Sequence, residues 1–228
     1  MHFIMRALRA AEDTRKTSAL LRHHNVPIVG KQLLSFNSVN WAQRMPLLMA
    51  AMTAGHCTAL VSDAGMPGVN DPGQELVAAA AAAGVPTTCV PGPSAYTTAI
   101  ALSGLPAAAE GGWVAAGWVP RPGSAARQTW LQAMATPDPP AGAAVSTNTL
   151  VFLEGPSRIV RTMYDLRDAC AAAGVHRPVV LCRELTKRHE QVVRGSPAQV
   201  AAAVQSGHAH SSRGEFTLVL GPASTLPV

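Results

Sequence analysis

Two loops rich in Gly, Pro, Asp and Ser carry the residues best placed to do chemistry. The first runs Asp63, Ala64, Gly65, Met66, Pro67, Gly68, Val69, Asn70, Asp71, Pro72, Gly73, and it follows a short apolar run at residues 58–62. The second, Pro91, Gly92, Pro93, Ser94, follows a similar run at residues 85–90. Short apolar runs of this kind read as strands buried on both faces. Each loop therefore stands at the carboxyl end of a strand, where ligands bind in open parallel α/β sheets. Gly65, Gly68 and Gly92 let backbone approach a ligand closely, and the helices that follow offer free N–H groups. Asp63 can accept hydrogen bonds from hydroxyl or amino groups. An ordinary βα turn has the same composition, but two such loops side by side favour a ligand site.

Other ionisable groups cluster near predicted loop ends. Glu12, Asp13, Arg15 and Lys16 crowd the segment AEDTRKT at residues 10–17. Glu154 and Arg158 stand four apart after the run TLVFL, and Glu184 and Lys187 stand three apart after PVVLCR. Each set reads either as local ion pairs, worth little on a surface, or as functional acids and cations. Dinucleotide, P-loop and zincin signatures are all missing. His208 and His210, in a polar loop without further ligands, do not make a metal site, and none is expected.

The elements that must position these groups alternate. Residues 4–24 have a helical pattern broken by AEDTRKT. Residues 32–40 read as a strand entering a loop, and residues 42–54 as a helix. Asp71 is a plausible N-cap with Pro72 at the first helical position and Gln74 as a capping-box partner. The alanine run from Ala78 to Ala83 carries that helix to Gly84. Ser94 caps the next helix, which ends at Gly104. A Pro/Gly/Arg linker after Trp118 divides the chain into domains 1–118 and 119–228. Beyond it come a helix at 126–134, a low-complexity insertion at 136–148 read as a surface loop, a strand and helix ending at Ala173, a strand at 178–185, a helix at 197–205 and a last strand at 215–221. The class is α/β.

Composition narrows the function. The 228 residues give room for one large or two small domains, and the hydrophobic content of 48% is globular. No apolar run is long enough to span a bilayer, and the N-terminus lacks a secretory pattern. Cys57, Cys89, Cys170 and Cys182 have no pairing or zinc spacing and read as reduced, mostly buried thiols. The net charge is +5, with arginine far ahead of lysine. Arginine suits RNA phosphates, but codon bias gives the same excess, so charge alone decides nothing.

The motifs SDAGMPGVNDPG and VPGPSA resemble those of the tetrapyrrole-methylase superfamily of S-adenosylmethionine (SAM)-dependent methyltransferases. With AEDTRKT, TLVFLEGPSR, RELTKRHE and RGEF in the same order, the chain is most similar to the small-subunit ribosomal RNA cytidine 2′-O-methyltransferase family. The resemblance implies two α/β domains with the SAM cleft between them. It assigns Asp63, Ala64, Gly65, Pro67, Gly68, Asp71, Pro91, Gly92, Pro93, Ser94, Ala95 and Glu154 to the cofactor. Methyl transfer needs alignment of the nucleophile, and a ribose hydroxyl gains from a base or a nearby cation. The expected catalytic groups are Glu12, Asp13, Arg15, Arg158, Glu184 and Lys187. The implied partners are ribosomal RNA or the small subunit and a second copy of the chain, with neither membrane nor DNA. The implied place is the cytoplasm, an organelle staying open. A small-molecule methylase and a non-catalytic RNA-binding remnant are the alternatives.

The chain also departs from the family. Met66 stands for Thr, Leu153 for Tyr, and Gly155 and Ser157 for Ser and His. Asn37 and Val39 replace the histidines of the loop before residue 41, so no role of those histidines transfers. The family's first strand and its PIGNL-type loop have no counterpart here, nor has its C-terminal helical tail. The expectation is an N-terminally shortened member.

Overall fold

The computed structural model describes residues 8–28, 32–106, 112–135, 149–207 and 214–225. They belong to two compact units, Met1–Ser94 and Ala95–Val228.

The first unit runs β1 (Leu8–Ala11), α1 (Thr14–His23), β2 (Leu33–Ser35), α2 (Trp41–Thr53), β3 (Thr58–Val61) and α3 (Gln74–Ala82). The strands form a parallel sheet in the order β2-β1-β3, with Ala10 opposite Leu34 on one side and Leu60 on the other. Ala10, Phe36, Leu48 and Leu76 are buried at its core, and Trp41, Met45 and Met49 pack against them. β1 replaces the start of the helical pattern read over residues 4–24, and α1 begins inside the charged run. Leu, Arg and Ala favour helix. Pairing on both sides overrides that preference and buries Arg9, Ala10 and Ala11.

Three further expectations change in this unit. β3 is half-buried rather than buried on both faces, because it is an edge of the sheet. Residues 85–90 form no strand: all but Val85 are exposed, Val90 by 85%, and Pro86 lacks the N–H a ladder needs. α3 begins at Gln74, and its N-cap is Gly73 at φ +139°, not Asp71. Gln74 donates through Nε2 to the Gly68 carbonyl at 2.8 Å, closing the loop instead of completing a capping box.

The second unit runs α4 (Ala95–Ser103), β4 (Trp113–Trp118), α5 (Ala125–Ala135), β5 (Thr149–Glu154), α6 (Ile159–Ala172), β6 (Val175–His176), β7 (Val179–Arg183), β8 (Gln191–Gly195), α7 (Pro197–Gln205), β9 (Phe216–Leu220) and β10 (Ser224–Thr225). Its main sheet has the order β4-β5-β9-β7-β8. The sheet is mixed: β9 runs antiparallel to β5 and β7, and β8 antiparallel to β7. One face carries Leu150, Phe152, Leu181 and Leu218 against Met163 and Leu166 of α6 and Val200 of α7. The other carries Val151, Val180 and Val219 against Tyr96 and Ala99 of α4. The observed division at Ser94 lies upstream of the boundary read at Trp118, because α4 packs on this sheet and β4 pairs with β5.

α7 starts as its sequence says, with Ser196 and Gln199 in a reciprocal capping box and Pro197 at the first turn. β8 and the short β6–β10 ribbon had no clear sequence signal. Cys170 and Cys182 are buried, but Cys57 and Cys89 are exposed, so only half of the thiols fit the buried reading. Burial pushes the Cys182 thiol up to about 11. The 136–148 insertion and the pair His208 and His210 lie outside the described residues. No helix among the described residues is long and apolar enough to cross a membrane.

Candidate functional site

In the first unit the site grows from the carboxyl ends of β1 and β3, which are neighbours in the sheet. The Glu12 N–H donates to the Val61 carbonyl at 3.0 Å, which holds Glu12 beside the end of β3. Its Oε2 then accepts the Asp63 N–H at 3.0 Å. Lys16, one turn into α1, reaches across and pairs with Asp63 Oδ2 at 2.7 Å. That hydrogen bond raises the Lys16 ammonium above its ordinary value. Asp13 does something different. Its carboxylate caps α1 by accepting the Arg15 N–H at 2.8 Å and pairs with Arg15 Nη2 at 2.8 Å. The Arg15 side chain, then the capping N–H, hold the Asp13 carboxyl well below the usual carboxylate range.

The loop after β3 is shaped by its glycines. A Cβ on Gly92 would stand 3.2 Å from the Met66 sulfur, and one on Gly65 would stand 3.8 Å from the Pro93 carbonyl oxygen. The two Gly/Pro loops therefore lie against each other with backbone exposed between them. Ser62 ties the turn by donating to the Ala64 carbonyl at 3.2 Å. A depression of about 350 Å³ is lined by Glu12, Ser38, Trp41, Asn70, Asp71 and Glu75. A second, of about 380 Å³, is lined by Lys16, Leu20, His23, Ser62 and Asp63. Asn37 and Asn40, in the segment that lacks the family's histidines, lock each other: Asn40 Oδ1 accepts the Asn37 N–H and Asn37 Oδ1 accepts the Asn40 N–H.

In the second unit Glu154 ends β5 and is 1% exposed. Its Oε1 accepts the Gly155 N–H at 2.6 Å and pairs with Arg158 at 2.7 Å, and its Oε2 accepts the Thr162 hydroxyl. Arg127 lies 3.9 Å from the same carboxylate and pairs with Asp165 at 2.8 Å. A carboxylate this deep is tolerable only when fully hydrogen-bonded and paired, and it is. Arg158 remains partly open to solvent at 25%.

Glu184 follows β7 with φ +51°, and Thr186 has φ +65°. Such backbone is uncommon outside glycine, most of all for a β-branched residue. The turn is held by its own contacts. The Thr186 N–H donates to Glu190, Glu184 Oε1 accepts the Glu215 N–H at 2.9 Å, and Lys187 pairs with Glu184 at 3.0 Å and Glu215 at 3.1 Å. The Glu215 N–H, then the Lys187 ammonium, lower the Glu184 carboxyl. Burial works against the Lys187 charge, but its hydrogen bonds to Glu184 and Glu215 outweigh that and raise its value.

Glu12, Asp63, Ala64, Gly65, Pro67, Gly68 and Asp71 thus share one end of the first unit's sheet, with Pro91, Gly92 and Pro93 against them through the Met66 and Gly65 contacts. Ser94 closes that unit, and Ala95 opens α4 in the second. Glu154 with Arg158, and Glu184 with Lys187, stand at the ends of β5 and β7, and Asp13 and Arg15 are engaged with each other. Sequence reading placed Lys16 in the charged cluster but not among the site residues, and it did not single out Arg127 or Thr162. The signal for Lys16 was its place one turn beyond Glu12. Arg127 and Thr162 are contacts made at long range and left no local mark. No group of three or more His, Cys, Asp or Glu side chains among the described residues could hold a metal ion.

The family model of the tetrapyrrole (corrin/porphyrin) methylases matches residues 4–201. The chain is 41% identical over 215 residues to the ribosomal RNA small subunit methyltransferase I of Mycobacterium bovis, covering 94% of this chain and 68% of that protein. Among solved structures, the methyltransferase CobJ aligns with a TM-score of 0.57 at 20% identity, covering 97% of this chain and 96% of that one. A uroporphyrin-III C-methyl transferase from Thermus thermophilus, complexed with S-adenyl homocysteine, aligns with a TM-score of 0.50 at 20% identity, covering 95% and 97%. At these identities the solved structures establish the fold.

Proposed function

The chain belongs to the tetrapyrrole (corrin/porphyrin) methylase family, and from that membership we propose that it is a SAM-dependent methyltransferase of the 2′-hydroxyl of a cytidine ribose in small-subunit ribosomal RNA. The observation that carries this reading is its likeness to a small-subunit ribosomal RNA methyltransferase, which runs through both units of the chain. We place it in the cytoplasm, as a homodimer with no part for DNA or membrane.

The first unit fits the cofactor. Its two loops expose backbone, most tightly at Gly92, where a Cβ would press on the Met66 sulfur, and Ala64, Gly65, Pro67, Gly68, Pro91, Gly92, Pro93 and Ser94 would hold it there. Glu12, Asp71 and Glu75 make the neighbouring depression acidic. That charge suits hydroxyl, amino and sulfonium groups and disfavours phosphate. When bound, SAM supplies a methyl group already activated on sulfur, so the protein has to align, exclude water and manage one ribose proton. Asp63, fixed by Lys16 and by the Glu12 carboxylate, is the acceptor for cofactor hydroxyl or amino groups. Asp13 and Glu184, both held low, are poor proton acceptors, and Glu154 is fully engaged. This leaves Glu12 as the proton acceptor. Asp13 and Arg15 set the start of α1, and Glu154 and Glu184 orient Arg158 and Lys187 as cations for RNA phosphate.

Calorimetric titration with SAM tests the cofactor part. Saturable binding near one per chain is expected, with Asp63→Ala weaker by about tenfold or more, roughly 1.4 kcal/mol. A folded chain that takes up no SAM would overturn the reading.

A further inference from the structure

Trp118 ends β4, the edge strand of the second unit's sheet, and is 53% exposed. Its orientation is imposed by a bulge. The register runs Ala115 to Val151 and then Gly117 to Phe152, so Ala116 is an extra residue, and Gly117 takes φ +69°. An unbulged strand would put Trp118 on the face of Val114 and Ala116, which packs into the core. The bulge turns it to the face of Leu153 and Trp113 instead, with Val119 only 2% exposed behind it. Bulges commonly re-aim a side chain next to a functional site.

The support around Trp118 is rigid. The Val119 N–H donates to the Leu153 carbonyl at 3.0 Å, and the buried Arg127 donates to the Pro120 carbonyl at 2.9 Å. Ser124 donates to the Arg121 carbonyl at 2.8 Å, which fixes that turn and leaves the Arg121 side chain exposed. β4 and β5 are parallel, and β7 runs the same way because both β5 and β7 are antiparallel to β9. One end of the sheet, at the carboxyl ends of β4, β5 and β7, therefore gathers Trp118, Arg121, Arg158 and the loop carrying Lys187 and Arg188, over three strand spacings or about 14 Å. Among the described residues Arg121 and Arg188 form no ion pair.

Resting on the RNA-methylating reading above, we propose that Trp118 is a stacking platform for an unpaired nucleobase of the RNA substrate, flanked by Arg121 and Arg188 as phosphate contacts. Unpaired bases are recognised by stacking on aromatic side chains beside a basic track. A protein partner fits less well. Leu102, Trp113 and Trp118 are the only exposed large apolar side chains among the described residues of this unit, short of the contiguous apolar patch a stable interface uses.

The test uses the full chain and a short fluorescein-labelled oligocytidylate, with small-subunit ribosomal RNA as a second probe. Trp118→Ala is expected to weaken RNA binding about tenfold or more, while Trp118→Phe keeps most of it. Trp113→Ala, on the same face at the far end of the strand, is expected to bind as the parent does. SAM affinity and melting temperature stay unchanged in all three. Arg121→Ala is expected to lower the salt dependence of binding by about 0.7 in the log–log slope. RNA affinity unchanged in Trp118→Ala would overturn the proposal and leave the function intact. So would equal losses in Trp113→Ala, or a shift in oligomeric state accompanying the loss, which would make the edge a protein contact. A parent chain that binds neither probe would overturn this inference and the RNA-methylating reading together.

Discussion

Glu184 keeps its carboxylate ionised because the Glu215 N–H and the Lys187 ammonium both stabilise the charge. A folded value below the ordinary 4.5 adds stability that is fully present above that pH and is lost as pH falls through the lowered folded value. The Glu184 turn should therefore loosen on acidification, and Glu184→Gln should flatten the pH dependence of stability on the acid side of 4.5. Thermal melts of both forms across that range read the difference, and superimposable profiles would show that the carboxylate is not linked to folding. Lys187 has the opposite sign. Its raised value keeps it cationic at neutral pH, in keeping with the proposed role as a charge and not as a base.

At the scale of elements, the glycine that opens α3 is the sharpest case. Gly73 sits at φ +139°, and a Cβ there would collide with Leu60 in β3. Gly73→Ala should cost about 1–3 kcal/mol from overpacking alone, lower the melting temperature and weaken SAM binding with it. A melting temperature equal to the parent's would contradict this view of the turn. Much of this level was legible beforehand. α2, α7, β5, β7 and β9 announce themselves through apolar runs, Pro197 after Ser196, and glycines past their ends. β1 was not legible as a strand, since Leu-Arg-Ala-Ala carries helix propensity and only its two neighbours make it a strand. Residues 85–90 looked like a strand for the converse reason: Val, Thr and Cys have β propensity, but no strand among the described residues pairs with them. The loops of the site were readable from Gly, Pro and Asp. The pairing of Lys16 with Asp63, and of Glu154 with Thr162 and Arg127, joins residues that only the fold brings together.

For the whole molecule, the roles proposed for the two units differ in the charge they call for. The first presents an acidic depression beside exposed backbone, which suits a small cationic cofactor. The second presents Trp118, Arg121, Arg158, Lys187 and Arg188 at one end of its sheet, which suits RNA. The net charge of +5 carries no such information until it is distributed over the fold. The most direct measurement is transfer of a labelled methyl group from SAM to small-subunit ribosomal RNA lacking that methylation, followed by mapping of the label. Label at the 2′-oxygen of a cytidine is the predicted result. A folded, SAM-binding chain that leaves the RNA unlabelled, or that labels a base in place of a ribose, would contradict the account.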